Sequence, residues 1–194
     1  MARNVGDINF LSKVVVVTGA SSGIGKEVAI QFAKLGAHLS ICARNLENLQ
    51  KTVQECQKVL KNSSQKILAL KCDVTIEKDI ENYFKETIKE FNGQLDVLVN
   101  NAGILESGTI ENTSLEQYDR VMNTNVRSIY QLMMLATPYL IKTKGMLKLT
   151  GFFFGALVLL IFSQEMLSML AVLTVFVHFR VFWRIVFLRV LSIS

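Results

Sequence analysis

Short apolar runs alternate with amphipathic stretches along the first 145 residues of the chain. Four of these runs have the length and β-branched content of buried parallel strands: KVVVV at 13–17, HLSICA at 38–43, KILALKC at 66–72 and LDVLV at 95–99. The stretches between them have apolar side chains at helical spacing, and Gly36 provides a stop for the first helix. This alternation predicts an α/β fold with a doubly wound parallel sheet.

Polar residues mark where two of the predicted helices begin. Asn45 follows the second strand and is expected to cap the helix that starts at Leu46. Thr75 follows the third strand and is expected to cap a helix that runs to about Phe91. Each predicted cap would satisfy one of the backbone N–H groups that a helix leaves unpaired at its start.

A longer helix is predicted after the fourth strand. Thr113 and Glu116 have the three-residue spacing of a capping box, in which each side chain bonds a backbone N–H of the other residue. Helical spacing then continues to about Thr143. The chain's one proline, Pro138, is expected to bend this helix, because a proline inside a helix removes a backbone hydrogen bond.

The glycine-rich string TGASSGIG at 18–25 lies between the first strand and the first helix. Such a turn leaves backbone N–H groups free to face a pyrophosphate, and the helix N-terminus adds about half a positive charge. Gly19 allows the tight turn, Gly23 lets the backbone approach the ligand, and Gly25 lets the helix pack on the strand. Taken alone, the string also fits an ordinary turn between strand and helix.

The end of the second predicted strand indicates the type of dinucleotide. An NAD site usually carries Asp or Glu about 20 residues after the glycine turn, on the ribose 2′-hydroxyl. Here Ala43 stands at about that place and Arg44 follows it. A guanidinium can pair with a 2′-phosphate, so we predict NADP(H) rather than NAD(H) as the cofactor. The alternative for Arg44 is a solvated loop arginine.

Four motifs together resemble a known family. TGASSGIG, CDV at 72–74, NNAG at 100–103 and NTNV at 123–126 have the order and spacing of the classical short-chain dehydrogenase/reductases. The resemblance covers about residues 8–145. Within the family, this segment is similar to 3-oxoacyl-carrier-protein reductases and small carbonyl or steroid dehydrogenases. It implies a Rossmann-like domain and an NAD(P)(H)-dependent oxidoreductase of carbonyl or secondary alcohol groups. It also implies a homo-oligomer, although part of the family's interface is missing from this chain.

The resemblance implies two groups of cofactor-binding residues in the first half of the chain. Asp73 and Val74 would lie against the adenine, with Asp73 accepting a hydrogen bond from its amino group. Alternatively, Asp73 is a turn residue that leads into the helix after Thr75. The implied cofactor turn consists of Thr18, Gly19, Ser21, Ser22, Gly23, Ile24 and Gly25.

Further residues are implied after the fourth predicted strand. Asn101, Ala102 and Gly103 would close the floor under the nicotinamide-side ribose. Asn125 matches the asparagine of the family's Asn-Ser-Tyr-Lys set, where it holds a water in the proton relay. Plainer roles are also open, because Asn101 could satisfy loop backbone groups and Asn125 could be a buried helix asparagine bonded to nearby carbonyls.

The other three catalytic residues of the family have no match in this chain. The resemblance places the serine near Phe152 and the tyrosine near Glu165, and no tyrosine follows Tyr139. None of the four tyrosines is followed by lysine four residues later. We therefore predict a chain without Ser and Tyr-x-x-x-Lys, inactive by itself, that would act on a substrate only if the catalytic half were present. The alternative is a non-catalytic dinucleotide-binding or interaction protein, with or without a membrane attachment.

The resemblance stops near Gly145, so the fold is expected to be truncated after about the fourth or fifth strand. MLKLTG at 146–151 could pair as a fifth strand, although Lys148 would then lie in a strand expected to be buried on both faces. We predict an NADP(H)-binding domain over 1–145 and an unrelated apolar tail over 146–194. A changed reading frame or splice is the simplest origin, and a divergent member with a replaced second half is the alternative.

The apolar tail has two segments with different membrane properties. Residues 152–177 hold two runs that are each too short to span a bilayer, and joining them would place Glu165 near the centre, so spanning stays undecided. Residues 178–190 place Arg180 and Arg184 on one helical face among aromatic side chains, which suits an anionic membrane surface. The alternative is an aggregation-prone segment without an evolved role.

Charge and cysteine usage narrow the remaining classes of function. The formal net charge is +5, but residues 146–194 hold four basic residues and one acidic residue, so the excess lies mainly in the tail and does not favour nucleic-acid binding. Cys42, Cys56 and Cys72 lack CxxC spacing, which argues against a metal site and fits a reducing compartment. The N-terminus has no secretory h-region, so we expect a cytoplasmic location, with membrane association open through 152–190.

Overall fold

Strands and helices alternate through the part of the chain that the computed structural model describes, residues 10–107 and 111–149. A π-helical turn, Asn123–Arg127, joins the fourth helix to the fifth. The predictions for the tail from residue 150 onward lie outside the described residues. The elements are β1 (Val14–Thr18), α1 (Gly23–Lys34), β2 (His38–Ala43), α2 (Leu46–Gln57), β3 (Ile67–Lys71), α3 (Glu77–Glu90), β4 (Val97–Asn100), α4 (Leu115–Met122), α5 (Ser128–Thr143) and β5 (Met146–Leu149).

The five strands form one parallel sheet in the order β3-β2-β1-β4-β5. Val15 of β1 pairs with Leu39 of β2 on one side and with Val97 of β4 on the other. The chain moves outward from β1 to β3, then crosses back to β4 on the opposite side of β1. The predicted doubly wound parallel sheet is therefore confirmed, and its carboxyl ends open a crevice between β1 and β4, where such folds bind ligands.

The sheet is covered on both faces, which is why β1 consists of apolar residues throughout. Val14 and Val16 belong to the same buried cluster as Leu132 of α5 and side chains of α3. Since side chains alternate along a strand, Val15 and Val17 face the opposite layer, where α1 packs against β1 and α2. All four valines are at most 1% exposed.

The structure confirms one of the two predicted helix caps and contradicts the other. Asn45 caps α2 as predicted, because its Oδ1 accepts a hydrogen bond from the Asn48 N–H at 2.9 Å. The prediction for Thr75 is wrong, since α3 begins at Glu77 behind Ile76. The N–H and the hydroxyl of Thr75 both donate to Asp73 Oδ1, at 2.9 and 2.7 Å, so the threonine closes a turn instead of capping the helix.

The long helix predicted after β4 differs from the structure in two ways. Its N-cap is Ser114 and not Thr113, because the Ser114 Oγ accepts from the Gln117 N–H at 3.2 Å, and the Gln117 side chain donates to the Ser107 carbonyl, so the reciprocal bond of a capping box is not made by this pair. The helix is also divided into α4 and α5 by the π-helical turn. Pro138 lies inside α5 as predicted.

The fifth strand that was left open by the sequence is formed by residues 146–149. It runs parallel to β4, with Val99 opposite Lys148. A left-handed residue, Lys144 (φ 53°), ends α5 and lets the chain turn back within two residues. The sheet thus continues four residues beyond the predicted boundary at Gly145.

A buried carboxylate joins the strands at their amino ends. Asp96 is 5% exposed. Its carboxylate accepts hydrogen bonds from Lys13 Nζ at 2.9 Å, the Val14 N–H at 2.9 Å and Gln94 Nε2 at 2.6 Å. The Asp96 carbonyl also accepts from the Met146 N–H at 2.7 Å. One residue therefore connects β1, β4 and β5.

We expect Asp96→Ala to lower the free energy of unfolding of the full chain by about 2–4 kcal/mol, because it leaves the buried N–H of Val14 without its acceptor and Lys13 without its counter-ion. Urea unfolding measures the loss. Glu90→Ala is the control, since Glu90 pairs with Lys66 at 2.9 Å in an exposed position and its loss should have a much smaller effect. Equal losses for the two variants would contradict this role of Asp96.

The described residues bear on membrane insertion, metal binding and thiol chemistry. Between residues 10 and 149, excluding 108–110, no helix is long and apolar enough to cross a membrane, and no group of three or more His, Cys, Asp or Glu side chains could hold a metal ion. The three cysteines are free and buried. Burial raises the pKa of Cys56 to about 12, so its thiol stays protonated at neutral pH.

Candidate functional site

The crevice between the carboxyl ends of β1 and β4 brings together the glycine-rich turn and the NNAG loop. Thr18, the last residue of β1, is 1% exposed and directs its hydroxyl across the crevice. Its Oγ1 accepts hydrogen bonds from the N–H groups of Asn101 and Ala102, at 3.1 and 3.0 Å. The Asn101 side chain bonds in the opposite direction: its Nδ2 donates to the carbonyls of Thr18 and Gly19 at 3.0 and 3.1 Å. The two loops are thus joined from both sides.

The glycines of the turn are required by space and backbone conformation. Gly19 has φ +67°, and a Cβ built there would lie 2.8 Å from the Ala102 Cα. A Cβ on Gly25 would overlap the Gly19 carbonyl and the Asn101 amide. Gly23 has φ +55°, and a Cβ there would have no atom of the described residues within 4 Å. The turn is therefore crowded toward the NNAG loop and open at Gly23, where a ligand could approach the backbone.

The backbone N–H groups at the start of α1 are not capped by any side chain of the described residues. Ser22 is the N-cap residue, with extended backbone angles, and its side chain makes no capping hydrogen bond within that part of the chain. Ser22, Gly23 and Ile24 are exposed, whereas Ser21 is partly buried. Exposed N–H groups at a helix N-terminus attract anions, and the first turn carries no acidic side chain to compete.

The ends of β2 and β3 place the other predicted cofactor residues side by side. The Cys72 N–H donates to the Ala43 carbonyl at 3.1 Å, which sets Asp73 beside Arg44 at neighbouring strand ends. Arg44 is exposed and has no hydrogen-bond or ion-pair partner in the described ranges. Val74 is 8% exposed.

Asp73 has the turn role that the sequence left open as an alternative. Its Oδ1 accepts both hydrogen bonds from Thr75, and its own N–H donates to Asp79 Oδ2 at 3.1 Å. Among the described residues, no hydrogen bond to Asp73 Oδ2 is formed. One carboxylate oxygen therefore holds the turn, and the other is available to a ligand.

Asn125 lies in the π-helical turn and holds the NNAG loop in place. Its Oδ1 accepts from the Ile104 N–H at 2.9 Å, and its Nδ2 donates to the Ile104 carbonyl at 2.8 Å. A Cβ on Gly103 would lie 3.1 Å from Asn125 Oδ1, a tight contact that would require the side chain to shift by a few tenths of an ångström. A π-helical turn carries one more residue than an α-helical turn, and such turns occur often at functional sites.

Several residues that support the site were missed from the sequence. Arg120 forms two hydrogen bonds with the Glu106 carboxylate, at 3.0 and 2.7 Å, and ties the end of the NNAG loop to α4. Thr52 of α2 is fully buried and donates to the Ala20 carbonyl in the glycine turn at 2.9 Å. These contacts join residues far apart in the chain, and no local sequence pattern marks either pair.

A pair of buried thiols lies beneath the strand ends that carry Arg44 and Asp73. The neighbouring Cys72 thiol and burial both raise the pKa of Cys42 well above its usual value. Burial likewise raises the pKa of Tyr83, whose hydroxyl accepts a hydrogen bond from the Ser40 Oγ at 3.0 Å. Cys42 and Tyr83 therefore stay neutral near pH 7 and add no charge to the site.

Comparison with known proteins agrees with this geometry. The sequence profile described as short chain dehydrogenase matches residues 13–147. The chain belongs to the short-chain dehydrogenase family. Within it, the chain is similar to an 11-beta-hydroxysteroid dehydrogenase-like protein, 4A, of Arabidopsis thaliana, with 40% identity over 134 residues, 69% of this chain and 44% of the relative. It is also 40% identical over 138 residues to an uncharacterized oxidoreductase of Thermotoga maritima, covering 71% of this chain and 52% of that protein.

Solved structures of short-chain dehydrogenases share the fold. A 7-alpha-hydroxysteroid dehydrogenase complexed with NADH and 7-oxo glycochenodeoxycholic acid superposes with a TM-score of 0.68 and 29% identity, covering 76% of this chain and 56% of that one. Glucose dehydrogenase of Caenorhabditis elegans in the apo form gives a TM-score of 0.64 and 36% identity over 73% of this chain and 55% of that one. The chain spans about half the length of the relatives it matches.

We expect Gly19→Ala to destabilise the full chain by at least about 1 kcal/mol more than Gly93→Ala. Both glycines have positive φ, +67° and +78°, so both variants bear the same kind of backbone strain. Only at Gly19 does the added Cβ meet another backbone segment, and at Gly93 it would meet no described atom within 4 Å. Urea unfolding of both variants measures the difference. Equal destabilisation would contradict the crowding between the glycine turn and the NNAG loop.

Proposed function

We propose that residues 10–149 form the cofactor-binding part of an oxidoreductase of carbonyl or secondary alcohol groups, and that the cofactor is a nicotinamide dinucleotide. The observation that carries the proposal is the glycine cradle: a strand end, a turn with no room for a Cβ at Gly19 and Gly25, and the uncapped start of α1. Such a cradle suits a pyrophosphate, because backbone N–H groups and the helix dipole can meet its charge directly.

Each group of residues in the cradle has a proposed role. The dinucleotide would supply hydride exchange at its nicotinamide ring when bound. Asp73 Oδ2 and Val74 would contact the adenine, and Asn125 would keep the NNAG loop in place through Ile104. The NNAG residues Asn101, Ala102 and Gly103 would support the nicotinamide-side ribose. The pyrophosphate and its adjoining ribose would be held by Thr18, Gly19, Ser21, Ser22, Gly23, Ile24 and Gly25.

The preference for NADP(H) rests on Arg44. It is exposed, has no ion-pair partner in the described part of the chain, and follows β2 at the place where an acidic residue would favour NAD(H). The family alone does not decide the cofactor, since the related 7-alpha-hydroxysteroid dehydrogenase was solved with NADH. A guanidinium that is free of carboxylates can donate a bidentate pair of hydrogen bonds to a 2′-phosphate.

We expect the full chain to bind NADPH more tightly than NADH, and Arg44→Ala to weaken NADPH binding about 10- to 100-fold, the equivalent of one lost charge-assisted contact. NADH binding should change less than about twofold. Cofactor fluorescence titration measures both dissociation constants. Lys58→Ala removes the same charge from the far end of α2, where Lys58 is also exposed, and should leave both constants unchanged. Equal affinity of wild type for the two cofactors would refute the role of Arg44.

We further propose that this polypeptide binds its cofactor without turning over a substrate. The sequence holds no Tyr-x-x-x-Lys, and no tyrosine follows Tyr139. Without such a tyrosine, the oxygen that gains charge during hydride transfer has no family-type proton donor, and acid–base groups contribute roughly 10²–10⁴-fold to such reactions. In this proposal the binding domain extends through β5 to residue 149, the residues from 150 onward are a separate apolar tail, and the protein is cytoplasmic.

We expect no measurable oxidation of NADPH when the full chain is mixed with simple ketones and aldehydes, as followed by absorbance at the nicotinamide band. The physical reason is the missing proton donor, while binding in the fluorescence assay should persist. A control with an intact short-chain dehydrogenase shows that the assay detects turnover. Turnover that disappears in Asn125→Ala would show that the chain is catalytic after all.

A further inference from the structure

Thr52 lies in α2 and reaches a part of the glycine turn that the proposed cofactor would not touch. Its side chain is fully buried, and its Oγ1 donates to the Ala20 carbonyl at 2.9 Å across 32 residues of sequence. A second, longer contact of 3.3 Å joins the same hydroxyl to the Asn48 carbonyl within α2. Since Ala20 is also fully buried, its carbonyl has no access to water and depends on this donor.

The peptide after Ala20 determines where the next backbone donor of the turn points. In a trans peptide the carbonyl and the following N–H lie in one plane and point in opposite directions, and no cis peptide bond is present in the described residues. With the Ala20 carbonyl directed at Thr52, the Ser21 N–H must point away from α2. The Ala20 N–H is fixed as well, because it donates to the Cys42 carbonyl at 3.1 Å.

We propose that Thr52 is a positioning residue for cofactor binding: its hydroxyl holds the Ala20–Ser21 peptide in the orientation that presents the Ser21 N–H to a dinucleotide phosphate. This inference rests on the proposed function of the glycine turn. Thr52 itself touches no ligand, and its effect passes through the backbone. The hydroxyl is the essential part, since the rest of the side chain only fills space between α2 and the turn.

A second buried threonine provides a matched control. Thr87 of α3 is also fully buried, and its hydroxyl bonds to the Ser40 hydroxyl at 2.7 Å and to the Tyr83 carbonyl at 2.9 Å. It makes none of its hydrogen bonds with the glycine turn. Thr87→Val therefore loses a buried hydroxyl as Thr52→Val does, and separates a general loss of stability from a local effect on the turn.

The test compares Thr52→Val, Thr52→Ser and Thr87→Val in the full chain. Two quantities are measured: the NADPH dissociation constant and the rate of amide hydrogen exchange in the peptide that covers residues 19–25. We expect Thr52→Val to weaken NADPH binding about tenfold, the equivalent of one lost hydrogen bond, and to speed exchange in that peptide. Thr52→Ser keeps the hydroxyl and should restore both values, whereas Thr87→Val should lower the urea midpoint without changing either.

Two results would overturn the proposal. One is a Thr52→Val variant with NADPH affinity within twofold of wild type, and the other is a Thr52→Ser variant as impaired as Thr52→Val. If the wild-type chain does not bind NADPH at all, the proposed function fails, and the exchange rates alone then decide whether Thr52 holds the turn. Should Thr52→Val fail to fold, Thr52→Ala and Thr52→Ser differ only by the hydroxyl and replace it in the same comparison.

Discussion

Close backbone approach between the glycine turn and the NNAG loop is the constraint on which the rest of the site depends. The Asn101 amide lies where side chains at Gly19 and Gly25 would otherwise stand, and it donates to the two carbonyls that end β1. Glycine at these places lets α1 begin directly above the strand. The turn and the NNAG loop thereby meet above the paired strands β1 and β4, at the topological switch point where such folds bind ligands.

Much of this architecture was accessible from sequence, because burial on both faces of a parallel sheet demands apolar runs such as KVVVV. The glycine positions were accessible for a related reason, since only glycine suits a positive φ at a crowded turn. Arg44 was identified by its place at a strand end, and the structure adds that it is exposed. In each case one local requirement restricts the residue type strongly.

Other features could not be read from the sequence, because neighbouring residues met the same local requirement equally well. Thr113 and Ser114 are both good N-caps, and in the structure Ser114 takes that position. Thr75 is also a good cap, but the Asp73 carboxylate offered its N–H and hydroxyl a nearer partner. The hydrogen bond from Thr52 to Ala20 spans 32 residues, so only the folded chain brings its two ends together.

The π-helical turn at Asn123–Arg127 has a consequence for how the gene can vary in length. Removing one residue from an α-helix rotates everything beyond it by about 100°, which would turn the buried face of α5 to the side of its packing surface. The π-helical turn already contains one residue more than an α-helical turn. After deletion of one codon there, the turn could become regular α-helix, and both flanking helices would stay in phase. The same five residues hold Asn125 against Ile104, so a deletion that keeps the flanking helices in phase would still disturb that contact.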